Sequence, residues 1–170
     1  LFLHLYLQSG DKQVNIWQWQ DKSLVVVTFP NGAEVRLTIV SASGYELGVY
    51  QALMREARDH IKQTYGVDAV EFLKDATPDR LAEWGRYHQR AILFGVLSKV
   101  ETKENADGEW VIDQLPDEWK AITTFDRAIP GALCDEWLQT ALDLNPGQFL
   151  ELPGDSEKKF VRVSSNRLLN

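Results

Sequence analysis

Two hydrophobic periods divide the chain near Ser43. From residue 14 to residue 40, apolar side chains recur at every second position, which is typical of half-buried strands. After Ser43 they recur at intervals of three and four residues, as on one face of a helix. The sequence therefore predicts an α+β fold, in which a small antiparallel sheet at the N-terminus packs against a mainly helical remainder.

The sheet is predicted as a three-stranded meander. Its first strand covers residues 14–20, a turn occupies residues 21–23, and the second strand covers residues 24–29. The dipeptide Asn31-Gly32 then predicts a tight hairpin of type I′, because both residues tolerate a positive φ. The return strand points alternate apolar residues inward: Val35, Leu37 and Ile39.

Start and stop signals predict the first helix. Ser43 and Glu46 fit a capping box, in which the two side chains satisfy free backbone amides of the first turn. The apolar stripe continues to Tyr65, and Gly66 is placed to end the helix in a left-handed conformation.

Three further helices are predicted. A short one starts at Asp68, a long one runs from Pro78 to Val100 behind the N-cap Thr77, and the last covers residues 130–144. Within the long helix, Gly85 and Gly95 lower helix propensity, so each is expected where another element packs closely.

Residues 101–109 form the most polar stretch of the sequence. The dipeptide Asp107-Gly108 predicts a second hairpin that returns through residues 110–112, although a mobile loop is an equal alternative. Leu115-Pro116 then predicts a helix start, with Asp117 and Glu118 in its first turn.

The domain organisation follows from these elements. Residues 11–147 are predicted as a single α+β domain, and residues 148–170 as an extended C-terminal tail. Residues 1–10 resemble a protease-tag recognition site, so an expression scar and a native edge strand are equal alternatives. The apolar start is too short to span a membrane and lacks the flanks of a signal peptide.

Charge is distributed unevenly. Residues 101–157 carry 14 acidic and 3 basic residues, whereas residues 158–170 carry 4 basic residues and no acidic one. An acidic surface repels a phosphate backbone, so nucleic acid is a poor partner for this protein. The basic end of the tail either pairs with that acidic surface or stays solvated, and solvation is favoured.

Candidate catalytic and metal-binding residues are few. Glu56 and His60 lie one turn apart on a helix, but spacing places no third metal ligand near them, so a solvated pair is favoured. His88 lies on an apolar stripe. Cys134, the single cysteine, precedes two acidic residues that should raise its thiol pKa. We therefore predict no enzyme, no cofactor and no bound metal, and the lone cysteine favours a reducing, cytoplasmic setting.

The six tryptophans are the remaining signal. Three of them occupy amphipathic helix positions and are expected in the core: Trp84, Trp119 and Trp137. Trp17 and Trp19 instead share one face of the first predicted strand. Large aromatic side chains on a strand edge are favoured anchors at interfaces, so these two are the predicted partner-binding or self-association residues.

Four segments together resemble the phage tail assembly chaperone family. The hairpin over residues 28–37 is similar to the opening of such proteins, and a capped helix follows directly from Ser43. Residues 90–100 resemble their central helix, which leads into a polar hairpin and the helix start at Leu115-Pro116. Residues 141–145, where the last helix closes on Leu144-Asn145, resemble the common ending and complete the pattern, which covers about residues 24–147. The richness in tryptophan and residues 148–170 depart from it.

The resemblance implies a non-enzymatic assembly factor of the bacterial host cytoplasm. Such proteins coat the aggregation-prone tape measure protein and help to recruit tail-tube subunits, without a membrane partner. Two other readings stay open at this point: a structural virion protein of the tail or head-tail connector, and a small protein-binding regulatory module.

Overall fold

A computed structural model describes residues 20–74 and 76–149. The described residues form four strands and six helices in this order: β1 (Lys22–Thr28), β2 (Glu34–Val40), α1 (Gly44–Tyr65), α2 (Ala69–Lys74), α3 (Pro78–Gly95), β3 (Leu97–Lys103), β4 (Val111–Ile112), α4 (Asp117–Lys120), α5 (Phe125–Ala128) and α6 (Gly131–Leu144). The predicted α+β class is confirmed, with the sheet followed by mostly helical segments.

The sheet is antiparallel throughout, with strand order β1-β2-β3-β4. Leu37 on β2 lies between Val25 on β1 and Val100 on β3, and all three side chains are buried. The expected meander over residues 14–40 is wrong in two respects. Lys22 and Ser23 belong to β1 and not to a turn, and two strands come from residues beyond α3. The predicted strand over residues 14–20 lies, up to residue 19, outside the described residues.

The β1–β2 hairpin is confirmed, but its turn differs from the predicted type I′. The amide of Gly32 donates to the carbonyl of Phe29, so Pro30 and Asn31 are the central residues of the turn. Proline fixes φ near −65°, which excludes the positive φ that type I′ needs at that position. Gly32 follows with a φ of 82°, where glycine is favoured over any other residue.

The predicted capping of α1 is confirmed. Ser43 accepts a hydrogen bond from the first turn, and the side chain of Glu46 accepts one from the amide of Ser43. Gly66 ends the helix with a φ of 72°, and its amide donates to the carbonyl of Lys62. The buried face of α1 has helical spacing: Tyr50, Met54, Ala57 and Ile61.

Helix α3 ends earlier than the sequence predicts. It begins at Pro78 behind the N-cap Thr77, but it stops at Gly95 and not at Val100. Residues 97–103 instead form β3, which pairs with β2 and places the buried Val100 opposite Leu37. The apolar run between Ile92 and Val100 fits either period, so only the tertiary pairing decides.

The two glycines of α3 have different surroundings. A Cβ on Gly95 would lie 3.1 Å from the Cβ of Tyr50, which confirms the expected close approach to another helix. A Cβ on Gly85 would meet nothing within 4 Å, so the same expectation is wrong there. The absence of a side chain at Gly85 leaves open space beside α3.

The second hairpin is also observed. β3 and β4 pair antiparallel around the polar loop, with Glu101 opposite Ile112, so the mobile-loop alternative is wrong for its flanking strands. The helix expected after Pro116 is the short α4, with Asp117 and Glu118 in its first turn.

One hydrophobic core joins the sheet to the helices. Helix α6 packs against β1 and β2, while α1 packs against α3. Two helical tryptophans are buried as expected, Trp84 at 8% exposure and Trp137 at 0%, and Trp119 packs against the core partly buried. Phe149 is buried too, so the core extends two residues past the expected domain end at residue 147.

Asn145 links the end of α6 to the end of β2. Its side-chain oxygen accepts a hydrogen bond from the amide of Ala42. Its side-chain nitrogen donates to the carbonyls of Val40, at 3.2 Å, and Ala141, at 2.8 Å. The residue is 1% exposed, so a polar side chain is buried here with its hydrogen-bonding groups satisfied.

Candidate partner-binding groove

A groove of about 640 Å³ lies between α3 and α6 and is called the α3–α6 groove below. Helix α3 supplies one wall: Ala82, Gly85, Arg86, His88, Gln89 and Ile92. Four of these residues, at 82, 85, 86 and 89, follow the spacing of a single helix face. This face borders the stripe by which α3 packs into the core, and the buried Ile92 belongs to both the stripe and the wall.

Helix α6 and the segment after it supply the other wall: Leu138, Leu142, Asn145, Gly147 and Phe149. Leu138 and Leu142 lie one turn apart on α6, and Leu142 is 40% exposed although it is a large apolar side chain. Asp135 and Gln139 share this helix face by their spacing. The α6 wall is therefore an apolar strip with an acidic rim.

The groove rests on the aromatic ring of Tyr50 from α1. The ring of His88 meets it edge-on at 5.8 Å between centroids, and the ring of Phe149 lies 5.1 Å from it. Because Tyr50 is also held against Gly95, its position is fixed by the α1–α3 packing. Gly85 adds no side chain and keeps the groove open on the α3 side. The α3–α6 groove is therefore largely apolar, and the ring of Tyr50 beneath it is held in place by the core.

Cys134 lies beside the groove and is a poor nucleophile. Burial raises the pKa of its thiol, and the neighbouring Asp135 raises it further. The side-chain amide of Gln89 donates a hydrogen bond to Sγ at 3.1 Å, which opposes that shift. The predicted direction of the pKa change is confirmed, although burial and not the acidic neighbour is its main cause.

A second polar cluster surrounds Glu83 on α3. Its carboxylate accepts hydrogen bonds from the hydroxyls of Tyr65 and Tyr87, from two different helices. Burial raises the pKa of Tyr87, and the bond to Glu83 raises it further. A phenol held protonated in this way donates a hydrogen bond at neutral pH. The cluster is suited to joining α1 with α3 and not to proton transfer.

The predicted Glu56–His60 pair is replaced by another arrangement. Glu56 binds the buried guanidinium of Arg90, with Nη1 and Oε2 3.0 Å apart. Arg90 Nε also donates to the carbonyl of Lys120 at 2.6 Å, which ties α3 to α4. His60 packs edge-on against the ring of Tyr87. Among the described residues, no three His, Cys, Asp or Glu side chains come together as a metal site would require.

The outer face of the sheet carries paired charges. Glu101 on β3 binds Arg36 at 2.8 Å and Lys99 at 2.7 Å. The Arg36 guanidinium also lies 4.2 Å from the ring centroid of Trp110, so this tryptophan is held by a cation–π contact. Arg36 and Lys99 together lower the pKa of Glu101 to about 2, with the Arg36 bond as the larger cause.

We expect a pH-dependent stability difference between Glu101→Gln and the wild-type protein. A carboxyl whose pKa falls from 4.5 to about 2 on folding stabilises the folded state above pH 4.5, and this contribution is lost as the pH falls towards 2. Melting temperatures measured from pH 7 to pH 2 should therefore show the wild type above the variant at neutral pH and the two converging in acid. In an Arg36→Met background, the difference in melting temperature that Glu101→Gln causes should change less with pH. A difference that is constant across the pH range would contradict the assignment.

The predicted binding residues Trp17 and Trp19 lie outside the described residues, as do residues 1–10 and 150–170. The structure instead reveals the α3–α6 groove, which sequence reasoning missed. A signal for it was present in the small and polar residues at 82, 85, 86 and 89, which recur with helical spacing away from the apolar stripe. The pairing of this face with Leu138 and Leu142 depends on tertiary packing, which spacing alone does not specify.

Comparison with protein-family models, with curated proteins and with solved structures finds no match. Over residues 20–74 and 76–149, no helix is both long and apolar enough to cross a membrane.

Proposed function

We propose that this protein is a non-enzymatic phage tail assembly chaperone, which holds an amphipathic helix of a tape-measure-like protein in the α3–α6 groove. The observation that carries the proposal is the open, largely apolar trough between two helices. Laying the apolar stripe of a helix into such a trough is a recurrent way in which proteins recognise helical partners.

The dimensions of the groove suit a helical occupant. The α3 wall runs from Ala82 to Ile92 and is therefore about 15 Å long, enough to cover nearly three turns of a second helix. Leu142 is 40% exposed and stands at the position of an anchor contact, with Leu138 one turn before it. Burying exposed leucine against an apolar stripe gives about 25 cal/mol for each Å² removed from water.

The acidic residues near the groove favour a partner helix that carries basic residues beside its apolar stripe. Asp135 and Glu136 are exposed near the start of α6, and the described part of the chain after residue 100 holds 11 acidic and 3 basic residues. A helix with basic residues beside its apolar stripe would therefore be steered to the α6 side. Charges of this kind raise the rate of association and set orientation more than they raise affinity.

The resemblance to tail assembly chaperones supplies the biological setting of the proposal. A tape measure protein is a long helical chain with apolar stripes, which must be covered until the tail forms around it. An acidic coat of many small proteins would keep the complex soluble in the cytoplasm of the bacterial host. Recruitment of tail-tube subunits belongs to the same proposal.

Co-expression of the full chain with the tape measure protein of the same phage tests the proposal. The wild-type protein should keep the tape measure protein soluble and should co-purify with it. Leu142→Asp should weaken binding by more than about thirtyfold, because a charge in the centre of an interface removes an anchor contact. Gly85→Leu should have a similar effect by filling the groove, since Gly85 lines the groove and a Cβ there would meet nothing within 4 Å.

Leu81→Asp is the matched control. Leu81 is 56% exposed on the same helix as Gly85 but is not among the groove residues, so this variant should bind normally. Folded groove variants that still co-purify would refute groove binding. The double variant Trp17→Ala with Trp19→Ala belongs in the same assay, because the sequence predicts these two tryptophans as partner-binding residues. If they bind the partner, this variant should lose co-purification without a loss of stability. Retention of the protein in purified phage particles would indicate a structural virion component and not a chaperone.

A further inference from the structure

Strand β1 forms one edge of the sheet, and among the described residues it pairs with β2 alone. The opposite edge is β4, which has two residues and offers little backbone to a further strand. β1 has seven residues, contains no proline and carries a single charge, on Lys22 at its first position. Long edge strands pair readily with strands of other chains unless charge, proline or a covering element protects them. β1 is therefore the edge at which a further strand can be added.

The backbone groups of β1 alternate between two directions. The amide of Phe29 donates to the carbonyl of Ala33 at 2.7 Å, so this odd-numbered residue bonds towards β2. At the other end of the strand, the carbonyl of Asp21 accepts from the amide of Ser41 at 2.8 Å. Directions alternate along an antiparallel ladder, so the amides and carbonyls of the even-numbered residues point away from β2. These residues are Lys22, Leu24, Val26 and Thr28.

The side chains of β1 alternate as well. Val25 is buried in the core, whereas Leu24 is 56% exposed and Val26 is 43% exposed on the outer face of the sheet. A strand added at this edge would contact both of these side chains, because directly opposite residues have Cβ atoms about 4.5–5.5 Å apart. The edge therefore offers apolar contacts beside the outward-pointing backbone groups.

We propose that β1 pairs antiparallel with β1 of a second copy, across a two-fold axis at Val25, so that the protein is a dimer with one continuous sheet. In this register Leu24 lies opposite Val26 of the second copy, and Lys22 lies opposite Thr28 of the second copy. Each pair joins two even-numbered residues, whose backbone groups point at each other. A shift by one residue would join even-numbered to odd-numbered residues, and a shift by two would leave part of the strand unpaired.

Charge also favours a second copy in this orientation. Parallel pairing in register would place Lys22 opposite Lys22 of the second copy, and antiparallel pairing avoids this repulsion. Thr28 lies opposite Glu34 in the β1–β2 ladder, so Lys22 faces Glu34 of the second copy across two strand spacings, about 10 Å. The long lysine side chain can reach this carboxylate over the short threonine. Glu34 also binds Lys103 at 2.8 Å, and a carboxylate can accept from two ammonium groups.

Analytical ultracentrifugation of the full chain over a concentration series tests the inference. The wild-type protein should sediment as a dimer that dissociates on dilution. Leu24→Lys with Val26→Lys should be monomeric at concentrations where the wild type is dimeric, because two lysines of each copy face two lysines of the other. Leu24→Glu with Val26→Glu should be monomeric for the same reason. A mixture of the two variants should form dimers again, since every facing pair then has opposite charges.

The other edge of the sheet provides the matched control. Val111 is 62% exposed and Ile112 is 73% exposed on β4, so this strand also carries two adjacent exposed apolar residues. Val111→Lys with Ile112→Lys adds the same charge to the protein as the β1 variant but leaves the proposed contact intact. This control should remain dimeric. Circular dichroism and the melting temperature establish that each charged variant is folded.

A disulfide cross-link tests the register without charged variants. In a Cys134→Ser background, a mixture of Leu24→Cys and Val26→Cys chains should form a disulfide between the two kinds of chain. Residues that face each other in a hydrogen-bonded antiparallel pair have Cα atoms about 5.5 Å apart, which is within the range that a disulfide spans. Leu24→Cys chains alone should cross-link much less, because residue 24 is offset by two positions from residue 24 of the second copy.

Three results would overturn the inference. A wild-type protein that stays monomeric up to the highest concentration leaves the edge of β1 to another occupant. A dimer that survives the folded lysine variant has its contact elsewhere, as does one that the mixture of oppositely charged variants fails to restore. Cross-linking of Leu24→Cys chains alone as readily as in the mixture excludes the register with its axis at Val25. The inference concerns the sheet edge and not the α3–α6 groove, so it stands or fails independently of the proposed function.

Discussion

Asn145→Leu is expected to lower the free energy of unfolding by about 2–5 kcal/mol. Leucine has nearly the same shape but makes none of the three hydrogen bonds that join Asn145 to Ala42, Val40 and Ala141. Backbone groups that lose a buried partner each cost about 1–3 kcal/mol. Chemical denaturation of the purified protein measures the change.

Two further variants sharpen this prediction. Asn145→Asp keeps an acceptor for the amide of Ala42 but loses both donated hydrogen bonds and buries a charge, so it should also be destabilising. Gln148→Leu changes an exposed amide three residues later and should alter stability by no more than about 0.5 kcal/mol. If Asn145→Leu unfolds at the same denaturant concentration as the wild type, the link between α6 and β2 contributes little.

The sequence predicts the end of α6 but not the role of Asn145. Asn145-Pro146-Gly147 correctly stops the helix, because proline and glycine act on the local backbone. The bonds to Val40 and Ala42 span more than 100 residues of sequence. No spacing rule connects positions that far apart, so the contribution of this side chain becomes visible only in the folded structure.

The same distinction explains the errors over the sheet. The capping box at Ser43 and the terminator at Gly66 are local devices, and both are confirmed. The sequence predicts residues 97–100 of β3 as the end of a helix because the apolar residues between 92 and 100 fit both periods, and pairing with β2 decides between them. The hairpin turn was misassigned because Pro30 restricts φ one position before the favoured Asn31-Gly32 pair.

The sequence indicates one residue of the candidate groove but not the groove itself. Gly85 is expected from the sequence to permit the close packing of another element. Only the packed structure shows that nothing fills the space at Gly85, so the missing side chain widens a surface groove there. Exposed apolar residues at a groove can be recognised when the buried neighbours are known, and the sequence does not supply that information.

Helix α6 forms one wall of the groove, and its attachment to the core depends on Trp137. The indole is 0% exposed and meets the ring of Phe94 edge-on at 5.2 Å. Leu133 and Ala141, one turn to either side of Trp137, are buried with it. A variant that empties this site should therefore affect both stability and the shape of the groove.

Trp137→Ala is expected to lower the free energy of unfolding by about 3–5 kcal/mol, because it removes a fully buried aromatic side chain and leaves a cavity. Trp137→Phe should cost much less. Phenylalanine fills most of the space, and the indole N–H that it lacks has no hydrogen-bond partner in the described structure. Denaturant unfolding of both variants measures the loss of free energy of unfolding. Binding of the neutral apolar dye Nile red under native conditions reports whether the groove keeps its shape. A Trp137→Phe variant as unstable as Trp137→Ala would show that the indole N–H is bonded after all. Equal stability of Trp137→Ala and the wild type would show that α6 is held chiefly by its other contacts.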